Sequence, residues 1–447
     1  MNEQDYITQI NNLTKEQIAQ GILEGIVTFK RLQETGDFDF STQRSVKAIL
    51  NTKDDEAFAA ANSKTELQNY ISVFPQGNHI DNVQAKIQKI KDDEDDVRRR
   101  YEEQERTLKE IKQNINKYTP PEIKNKLSSE IIDELCNDLE IDSQMIKNFK
   151  EPPIRFNTIP KSEKDIPLDY TDVFFWGIPS SGKTCALSAI LSTIKKDFSM
   201  EEPDCEIKFG ATYRASLVNI FKSDIGYLPP RTNEDRTQYM PFLFYKRGER
   251  NKRKISFFEL SGEVFKYFFD KVNGSEIISA DVKESIEQSF KTLELLLNSN
   301  NQKIHFFFID YDAETKHSID ETTGLTQENY LTAAAAYFRD NNDIFKKKTD
   351  AVYVVVTKSD EIQGDNRARL VKAKSFLDEN FGSFMDVLRN QCDRNSIDFN
   401  VKIFSIGDVY FKWICKINRA YSTNIINDLL ERVRPISTSR LRNFFNS

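Results

Sequence analysis

The sequence predicts an α/β protein with three layers and a mainly parallel sheet, preceded by an all-α N-terminal region. Up to residue 118 the apolar residues recur at helical spacing, with turn signals between segments. Four prolines between residues 150 and 170 then mark a linker. From residue 171 onward apolar strand runs alternate with helical stretches, which is typical of a sheet covered by helices on both faces.

Composition limits the classes of function. The chain has 447 residues, of which 38% are hydrophobic, so it is long enough for one large core and a second, smaller one. A net charge of −7 gives no basic surplus, and we expect no nucleic-acid partner. The five cysteines contain no CxxC pair, so neither a disulfide framework nor a zinc site is predicted. The N-terminus lacks a basic and apolar leader, and no apolar run reaches about 18 residues. We therefore expect a soluble, cytoplasmic protein without a membrane span.

Residues 1–118 are predicted to form a helical, adaptor-like region that binds protein partners. The segment 66–87 places a turn, Phe-Pro-Gln-Gly, between two helical patterns. It resembles the helix-turn-helix unit of bacterial TPR-like and adaptor regions, although a single copy is not a repeat array.

A long helix with a heptad seam is predicted over residues 83–118. Apolar residues follow the alternating four-three spacing, and only Glu94 and Gln104 interrupt it. The seam consists of Val83, Ile87, Ile90, Val97, Tyr101, Leu108, Ile111, Ile115 and Tyr118. Three interpretations stay open: packing against the preceding helices, a coil with a partner or a second copy, which would be a homodimer, and a solvated spacer.

The segment 119–170 is predicted to connect this region to a domain over residues 171–447. Thr119, Pro120 and Pro121 are expected to end the long helix, because proline lacks the amide donor and disfavours helical geometry before it. A pair of short helices is predicted over residues 121–148, followed by the proline-rich linker.

The octapeptide GIPSSGKT at residues 177–184 matches the phosphate-binding pattern G-x-x-x-x-G-K-[ST] in full. A strand, 173–176, leads into it and a helix, 185–195, leads out, as the phosphate-binding mechanism requires. Backbone amides of the loop would hold phosphate oxygens, Lys183 would contact the β- and γ-phosphates, and the Thr184 hydroxyl would bind Mg²⁺. The pattern therefore predicts a P-loop NTPase. Its nucleotide-binding residues would be Gly177, Ser180, Ser181, Gly182, Lys183, Thr184 and Cys185.

The purine is predicted from a second loop, TKSD, at residues 357–360. It follows a β-branched run, 351–356, and the carboxyl ends of such strands are where open α/β sheets bind ligands. An aspartate there can accept hydrogen bonds from N1 and the exocyclic amine of guanine, which adenine cannot donate in that arrangement. On its own, TKSD is also compatible with a surface turn.

Together these two loops resemble the translation-factor class of P-loop GTPases, in which [NT]KxD recognises guanine. The resemblance implies that Lys358 packs along the base, that Asp360 selects guanine after Thr357, and that a later loop at Ser405 and Ile406 contacts the guanine carbonyl through a backbone amide. A plain strand-to-turn interpretation of that later loop is nearly as good.

A narrower resemblance rests on the pairing of LPPRT at 228–232 with ELSGE at 259–263. It is similar to GTPase-like domains of bacterial multi-component conflict or regulatory systems, and it covers residues 172–434, leaving out the N-terminal region.

The family usually carries DxxG where this chain has Glu259 to Gly262. By resemblance the acid holds magnesium through water and the glycine amide touches the γ-phosphate. Glu263 occupies the position of the glutamine that orients the attacking water. A carboxylate there can act as a base, yet it also repels the γ-phosphate, so hydrolysis is expected to be slow or partner-stimulated.

The resemblance also implies a threonine that reaches magnesium from a mobile loop within residues 225–242. Thr232 is the first choice and Thr237 the second. Arg231 or Arg236 would be an internal arginine finger or, more simply, a solvated loop arginine. Because the γ-phosphate orders such loops, the switch loops are expected to bind partners.

Two alternatives accompany the prediction of a GTPase that binds GTP, GDP and Mg²⁺. Asp310 follows the apolar run 304–309 and would be the Walker B acid of a P-loop ATPase. Asp310, Asp312 and Glu314 are otherwise interpreted as a second acidic site at the carboxyl edge of the sheet or, more simply, as a solvated loop after a buried strand. The other alternative is a scaffold that binds nucleotide without hydrolysing it, which the glutamate at position 259 favours.

Overall fold

The computed structural model describes residues 2–154, 159–203, 209–230, 237–278, 280–341, 345 and 348–436. Its contacts divide the chain into two compact units, Met1–Glu110 and Ile111–Ser447. None of the described helices combines the length and the apolar character needed to cross a membrane.

The first unit is helical, as predicted. Its helices begin at side-chain caps: Thr14 and Ser63 each form a capping box with the residue three positions later. The cores are small clusters, one around Tyr6, Ile18 and Leu32, the other around Tyr70. The helices are α1 (Glu3–Thr8), α2 (Lys15–Leu23), α3 (Phe29–Glu34), α4 (Phe40–Ala60), α5 (Lys64–Val73) and α6 (Ile80–Gln113).

The long helix α6 buries its heptad seam only in part. Val83 near its start and Leu108 near its end are buried, whereas Val97 and Tyr101 in the middle are 65% and 59% exposed. The helix ends at Gln113 rather than at residue 118, and the prediction that the two prolines end it is wrong. Pro120 and Pro121 instead open the next helix, because the first helical turn needs no amide donor.

The second unit begins with three short helices where the sequence analysis predicted two. They are α7 (Pro120–Lys126), α8 (Ser129–Asp138) and α9 (Gln144–Lys147). The remaining helices of this unit are α10 (Lys183–Asp197), α11 (Ala211–Ile220), α12 (Val264–Asn273), α13 (Ala280–Asn298), α14 (Tyr311–Thr315), α15 (Gln327–Asp340), α16 (Asn366–Asn395) and α17 (Arg419–Arg432).

The described strands form a seven-stranded sheet in the order β2-β4-β5-β1-β6-β7-β8. The five strands from β5 to β8 run parallel, and β4 and β2 are antiparallel at one edge. Their bounds are β1 (Thr171–Trp176), β2 (Phe198–Glu201), β4 (Gln238–Lys246), β5 (Arg253–Glu259), β6 (Gln302–Asp310), β7 (Thr349–Thr357) and β8 (Asp398–Ile403). A second, three-stranded antiparallel sheet, which the sequence analysis did not predict, consists of β3 (Ile225–Tyr227), β9 (Gly407–Tyr410) and β10 (Ile414–Ile417).

Helices cover both faces of the large sheet, so the predicted three-layer α/β class is confirmed. Along β1, Phe174 and Trp176 point into the core shared with α12, α15 and α16. Phe175 points into the opposite core, shared with α10, α11 and α17. This alternation follows from the two-residue period of a strand, and it requires both faces of β1 to be apolar.

We expect truncation of Phe175 to destabilise the second unit strongly, because the side chain is fully buried and stacks on Phe306 and Phe308. Phe175→Ala should lower the free energy of unfolding by about 3–5 kcal/mol. Chemical denaturation followed by tryptophan fluorescence measures this loss. Val371→Ala, at a side chain of α16 in the same unit that is 61% exposed, is the control and should cost under about 1 kcal/mol. Equal losses in the two variants would contradict the assignment of the core.

Candidate nucleotide site

The predicted phosphate-binding loop lies where the sequence analysis expected it, between β1 and α10. Its backbone takes left-handed conformations at Ser180 (φ 62°) and at Gly182 (φ 83°), the N-cap of α10. A Cβ on Gly177 would lie 2.8 Å from the carbonyl oxygen of Phe308, so only glycine fits there. A loop of this kind that leads into a helix N-terminus is the arrangement that binds phosphate through backbone amides. With the sheet topology, this defines a P-loop NTPase fold.

Two buried side chains of this loop are polar. Lys183 is 7% exposed and donates from Nζ to the carbonyls of Gly177 (2.6 Å) and Ile178 (3.0 Å). Burial lowers its pKa to about 8, although Glu259 and Glu263 nearby favour the charged form. Ser181 is 1% exposed, and its hydroxyl has no hydrogen-bond partner within the described part of the chain. Such a buried, unpartnered hydroxyl is what an incoming phosphate oxygen would satisfy.

Five adjacent strands end at the same edge of the sheet and carry the predicted site residues. In register, Glu259 of β5 lies beside Phe175 of β1, and Asp310 of β6 lies beside Thr357 of β7. The carboxyl ends of parallel strands are where open α/β sheets bind ligands.

The phosphate loop and the TKSD loop meet directly. Thr357 Oγ1 donates to the carbonyl of Ser181 at 3.0 Å and also lies 3.2 Å from the carbonyl of Ile309. The methyl group of Thr357 lies 3.5 Å from a Cβ placed on Gly182. The predicted purine-recognising corner is thus joined to the phosphate cradle by a buried side chain.

Beyond Thr357 and Lys358, the TKSD loop continues as a single 3₁₀ turn, Ser359–Glu361. Lys358 is left-handed (φ 52°), and its ammonium pairs with Asp310 at 2.8 Å and with Asp312 at 3.5 Å. Burial opposes the charge, but the two carboxylates together raise the pKa of Lys358. The Asp360 side chain is exposed, and its carboxylate has no ion pair or hydrogen bond to another described residue. This carboxylate is accessible to a ligand.

The loop at Ser405 and Ile406 follows β8 and lies against the TKSD loop. The amide of Ser359 donates to the carbonyl of Phe404 at 3.2 Å, and the Ser405 hydroxyl accepts from the amide of Gly407 at 3.3 Å. Strand β8 ends at Ile403, two residues before Ser405. The predicted base-contacting loop is therefore adjacent to the predicted base-selecting aspartate.

Glu259 contacts the threonine of the phosphate loop. The hydroxyl of Thr184 donates to one of its carboxylate oxygens, and the hydroxyl of Tyr213 donates to the other at 2.5 Å. Burial raises the pKa of Glu259, while these two donors and Lys183 counteract that rise. Sequence reasoning missed Tyr213, because it lies in a helix without any recognisable motif.

The segment after Glu259 packs against the phosphate loop. A Cβ on Gly262 would lie 2.4 Å from the backbone nitrogen of Pro179, so the glycine permits the contact. Thr237 is buried, and its hydroxyl accepts from the amide of Ser261 at 3.2 Å. Thr232, the first choice for the switch threonine, and both candidate arginines, 231 and 236, lie outside the described residues.

Glu263 opens helix α12 and lies in a buried ion-pair chain. Its carboxylate meets the ammonium of Lys266 at 2.9 Å, and Lys266 in turn lies 3.3 Å from the carboxylate of Asp320. Lys266 and Glu263 are both less than a tenth exposed. Sequence reasoning did not predict this pairing of the residue at the water-orienting position.

Asp310 uses both carboxylate oxygens within the protein. One caps α14 by accepting from the amides of Asp312 and Ala313, and the other pairs with Lys358. The predicted solvated loop after β6 is therefore wrong in part, since residues 311–315 form a helix.

Cys185 is half-buried, and burial raises its pKa to about 12, so its thiol stays protonated at neutral pH.

No family model matches the chain, and no curated protein matches it in sequence. Solved structures to which the chain is similar include a putative nucleolar GTP-binding protein 1 from Plasmodium falciparum, with 12% identity, a TM-score of 0.25 and coverage of 60% of this chain and 91% of that one. Toc33 from Arabidopsis thaliana has 12% identity, a TM-score of 0.29 and coverage of 62% and 90%. The GTP-bound Ski7 GTPase-like domain from S. cerevisiae has 16% identity, a TM-score of 0.25 and coverage of 53% and 43%. At these scores the similarities assign no function to this chain.

The buried ammonium of Lys183 gives a stability prediction. Its pKa of about 8 lies well below the ordinary range of a lysine, so the charged ammonium is less favourable in the folded protein than in the unfolded chain. We expect Lys183→Met to stabilise the nucleotide-free protein at pH 7 by about 1–3 kcal/mol. The gain should shrink as the pH rises from 8 to 10.5, where the unfolded chain binds the extra proton and wild-type stability recovers.

Thermal unfolding of both proteins between pH 7 and 10 measures this effect. Lys195→Met, at an exposed lysine of the same helix, is the matched control and should change stability by less than about 0.5 kcal/mol at every pH. A gain for Lys183→Met that does not depend on pH would contradict the burial argument.

Proposed function

We propose that this chain is a magnesium-dependent guanine-nucleotide switch with slow or partner-stimulated GTP hydrolysis. It would signal through its helical N-terminal region and its switch loops. The observation that carries the proposal is the hydrogen bond from Thr357 to the carbonyl of Ser181, which brings a guanine-selecting loop to a phosphate-binding one.

The phosphate half of the site rests on Gly177 to Thr184 and the start of α10. Lys183 would exchange its two backbone carbonyl partners for the β- and γ-phosphates, and the Ser181 hydroxyl would gain a partner. The amides at the N-terminus of α10 add the positive end of a helix dipole. These groups attract phosphate irrespective of the base.

The residues around Thr184 fit a magnesium ion. A threonine hydroxyl and a carboxylate, both oxygen donors, lie in contact where a metal between phosphates would be bound. Among the described residues no group of three His, Cys, Asp or Glu side chains could hold a metal, which suits an ion completed by phosphate oxygens and water. When bound, magnesium supplies positive charge that neutralises the phosphates.

The guanine half of the site rests on the loop that Thr357 anchors. Asp360 presents an exposed carboxylate without an ion pair among the described residues, so it is available to two donors of a base. Ser405 and Ile406 flank it and would supply the backbone contact to the guanine carbonyl. Lys358, held by Asp310, would lie along the base with its aliphatic stem.

The ATPase alternative is disfavoured by the partners of its proposed Walker B acid. Asp310 caps a helix with one oxygen and pairs with Lys358 through the other, whereas Glu259 contacts the threonine that would bind magnesium. We therefore assign the metal-associated acid to Glu259.

Two observations favour slow hydrolysis. The same two favour the alternative of a scaffold that binds nucleotide without hydrolysing it. Glu263 is engaged by Lys266, so it is not a free base. Its charge also lies close enough to Lys183 to affect that residue's pKa, so it would repel a γ-phosphate bound there. Hydrolysis would need a rearrangement of this ion pair, which a partner at α12 can supply.

The proposal also divides the chain into three parts. We propose an adaptor-like region at residues 1–118, a connecting segment at 119–170 and the nucleotide-binding domain at 171–447. The connecting segment contributes contacts to that domain: Tyr227 donates to the carbonyl of Met145 at 3.0 Å, and Phe149 lies edge-on to Trp413.

Asp360→Ala tests guanine selection. At a concentration about a hundredfold above the dissociation constant, GDP should stabilise the wild type by roughly 2.7 kcal/mol and ADP should not. The variant should lose most of the GDP effect, because the two base donors lose their acceptor. Thermal shift assays with GDP and ADP measure both.

Glu361→Ala, an exposed acid in the same turn, is the matched control and should respond to GDP like the wild type. Lys183→Ala should abolish the response to either nucleotide. Unchanged GDP affinity in Asp360→Ala, or equal stabilisation of the wild type by ADP, refutes the guanine assignment.

Phosphate release under multiple-turnover conditions separates a GTPase from a scaffold. We expect slow, GTP-specific release that falls at least about tenfold in Thr184→Ala, because the hydroxyl that would hold magnesium is lost. Ser188→Ala, one turn further along α10, is the control. Absence of release from the wild type, with GTP binding intact, would favour the scaffold.

A further inference from the structure

We infer that Tyr213 is a positioning residue that orients Glu259 for magnesium-dependent nucleotide binding. The inference rests on the proposed function and adds a residue to it that no motif identifies. It starts from the hydrogen bond of 2.5 Å between the Tyr213 hydroxyl and Oε2 of Glu259.

The two oxygens of Glu259 have different donors. Thr184 donates to Oε1 and Tyr213 to Oε2. A glutamate has one more rotatable bond than the aspartate usual in the family, so a single donor leaves its carboxylate less well fixed. Two donors on opposite sides restrict the carboxylate to one orientation. The Thr184 hydroxyl donates a hydrogen bond to Glu259, and its oxygen can still offer a lone pair to a metal ion.

Tyr213 is held rigidly enough to act in this way. It is fully buried in helix α11. The next residue, Arg214, pins that helix to β4 by donating to the carbonyl of Pro241 at 2.8 Å, and it pairs with Glu202 at 2.5 Å. At the N-terminus of α11, a Cβ on Gly210 would lie 2.3 Å from the carbonyl of Tyr239 in β4. Since β4 is the hydrogen-bonded neighbour of β5, the helix and the strand that carries Glu259 keep a fixed separation.

A second buried tyrosine, Tyr239 in β4, provides a matched control. The Tyr239 hydroxyl donates to the carboxylate of Asp172 at 3.2 Å, and both residues are completely buried. Asp172 lies at the start of β1, away from the carboxyl edge, and Ser256 and Asn301 donate to it as well. Tyr239→Phe therefore removes the same kind of bond without touching the nucleotide site.

The test compares nucleotide binding as a function of magnesium concentration in the full-length chain. Fluorescent GDP is titrated with MgCl₂ from an EDTA-containing solution, and the half-saturating Mg²⁺ concentration is determined. We expect Tyr213→Phe to raise this concentration about tenfold or more, since loss of the partner of a metal-associated group typically weakens metal affinity by 10–100-fold. GDP affinity in EDTA should stay within about twofold of the wild type. Tyr239→Phe should leave the magnesium requirement unchanged even if it lowers thermal stability.

The outcomes are distinguishable. An unchanged magnesium requirement in Tyr213→Phe, with the wild type binding GDP in a magnesium-dependent manner, overturns this inference alone. A requirement raised equally in Tyr239→Phe assigns the effect to lost stability and also overturns it. Failure of the wild type to bind GDP at all overturns the proposed function itself.

Glu259→Asp approaches the contact from the other side if Tyr213→Phe does not fold. Shortening the acid by one methylene withdraws the carboxylate from the Tyr213 hydroxyl, and the magnesium requirement should rise by a similar factor. A requirement equal to or below that of the wild type would show that the tyrosine is dispensable.

Discussion

The hydrogen bond from Thr357 to the carbonyl of Ser181 determines the geometry of the whole site. It connects a loop that follows β7 to a loop that follows β1, with β6 between them. Strands β1 and β7 lie two strand spacings apart, about 10 Å, and the loops that follow them converge at this bond. The bond is buried and the strands are packed on both faces, so the sheet fixes the point at which the phosphate loop and the TKSD loop meet.

Three acidic residues at this edge of the sheet each have their own partners. Glu259 is bonded to Thr184 and Tyr213, Asp310 is paired with Lys358, and Glu263 with Lys266. Unpaired, three carboxylates around a phosphate site would repel the ligand strongly. The two lysines offset part of that repulsion, and the carboxylate of Asp360, on the base side, is exposed and has no described partner. The charge distribution thus places acceptors where donors of a base would come and hydroxyls and cations where phosphates would come.

The sequence predicted those features that depend on neighbouring residues. The strand before Gly177 and the run before Thr357 were evident from local apolar pattern, and the phosphate loop from its spacing. What it could not predict depends on distant partners. The small sheet pairs β3 (Ile225–Tyr227) with β10 (Ile414–Ile417), which lie far apart in the chain, in strands of three and four residues. Tyr213 meets Glu259 across 46 residues, and nothing in its own helix indicates this contact. Proline acts either as the end of one helix or as the start of the next, and Pro120 did the latter.

Coupling between phosphate and partner follows from the contacts on the other side of the loop. Gly262 packs on the backbone of Pro179, and the neighbouring Ser261 amide is bonded to Thr237, which lies within the segment predicted to contain the first switch. On the proposed function, a change at the γ-phosphate reaches both switch segments through these two contacts. A packed core adopts a few discrete arrangements and does not deform continuously. A small displacement at Gly262 would therefore be transmitted as a shift of the whole helix α12. The first turn of this helix holds the Glu263–Lys266 pair. On this proposal, the ion pair that would restrain hydrolysis lies on the same helix that a partner would move.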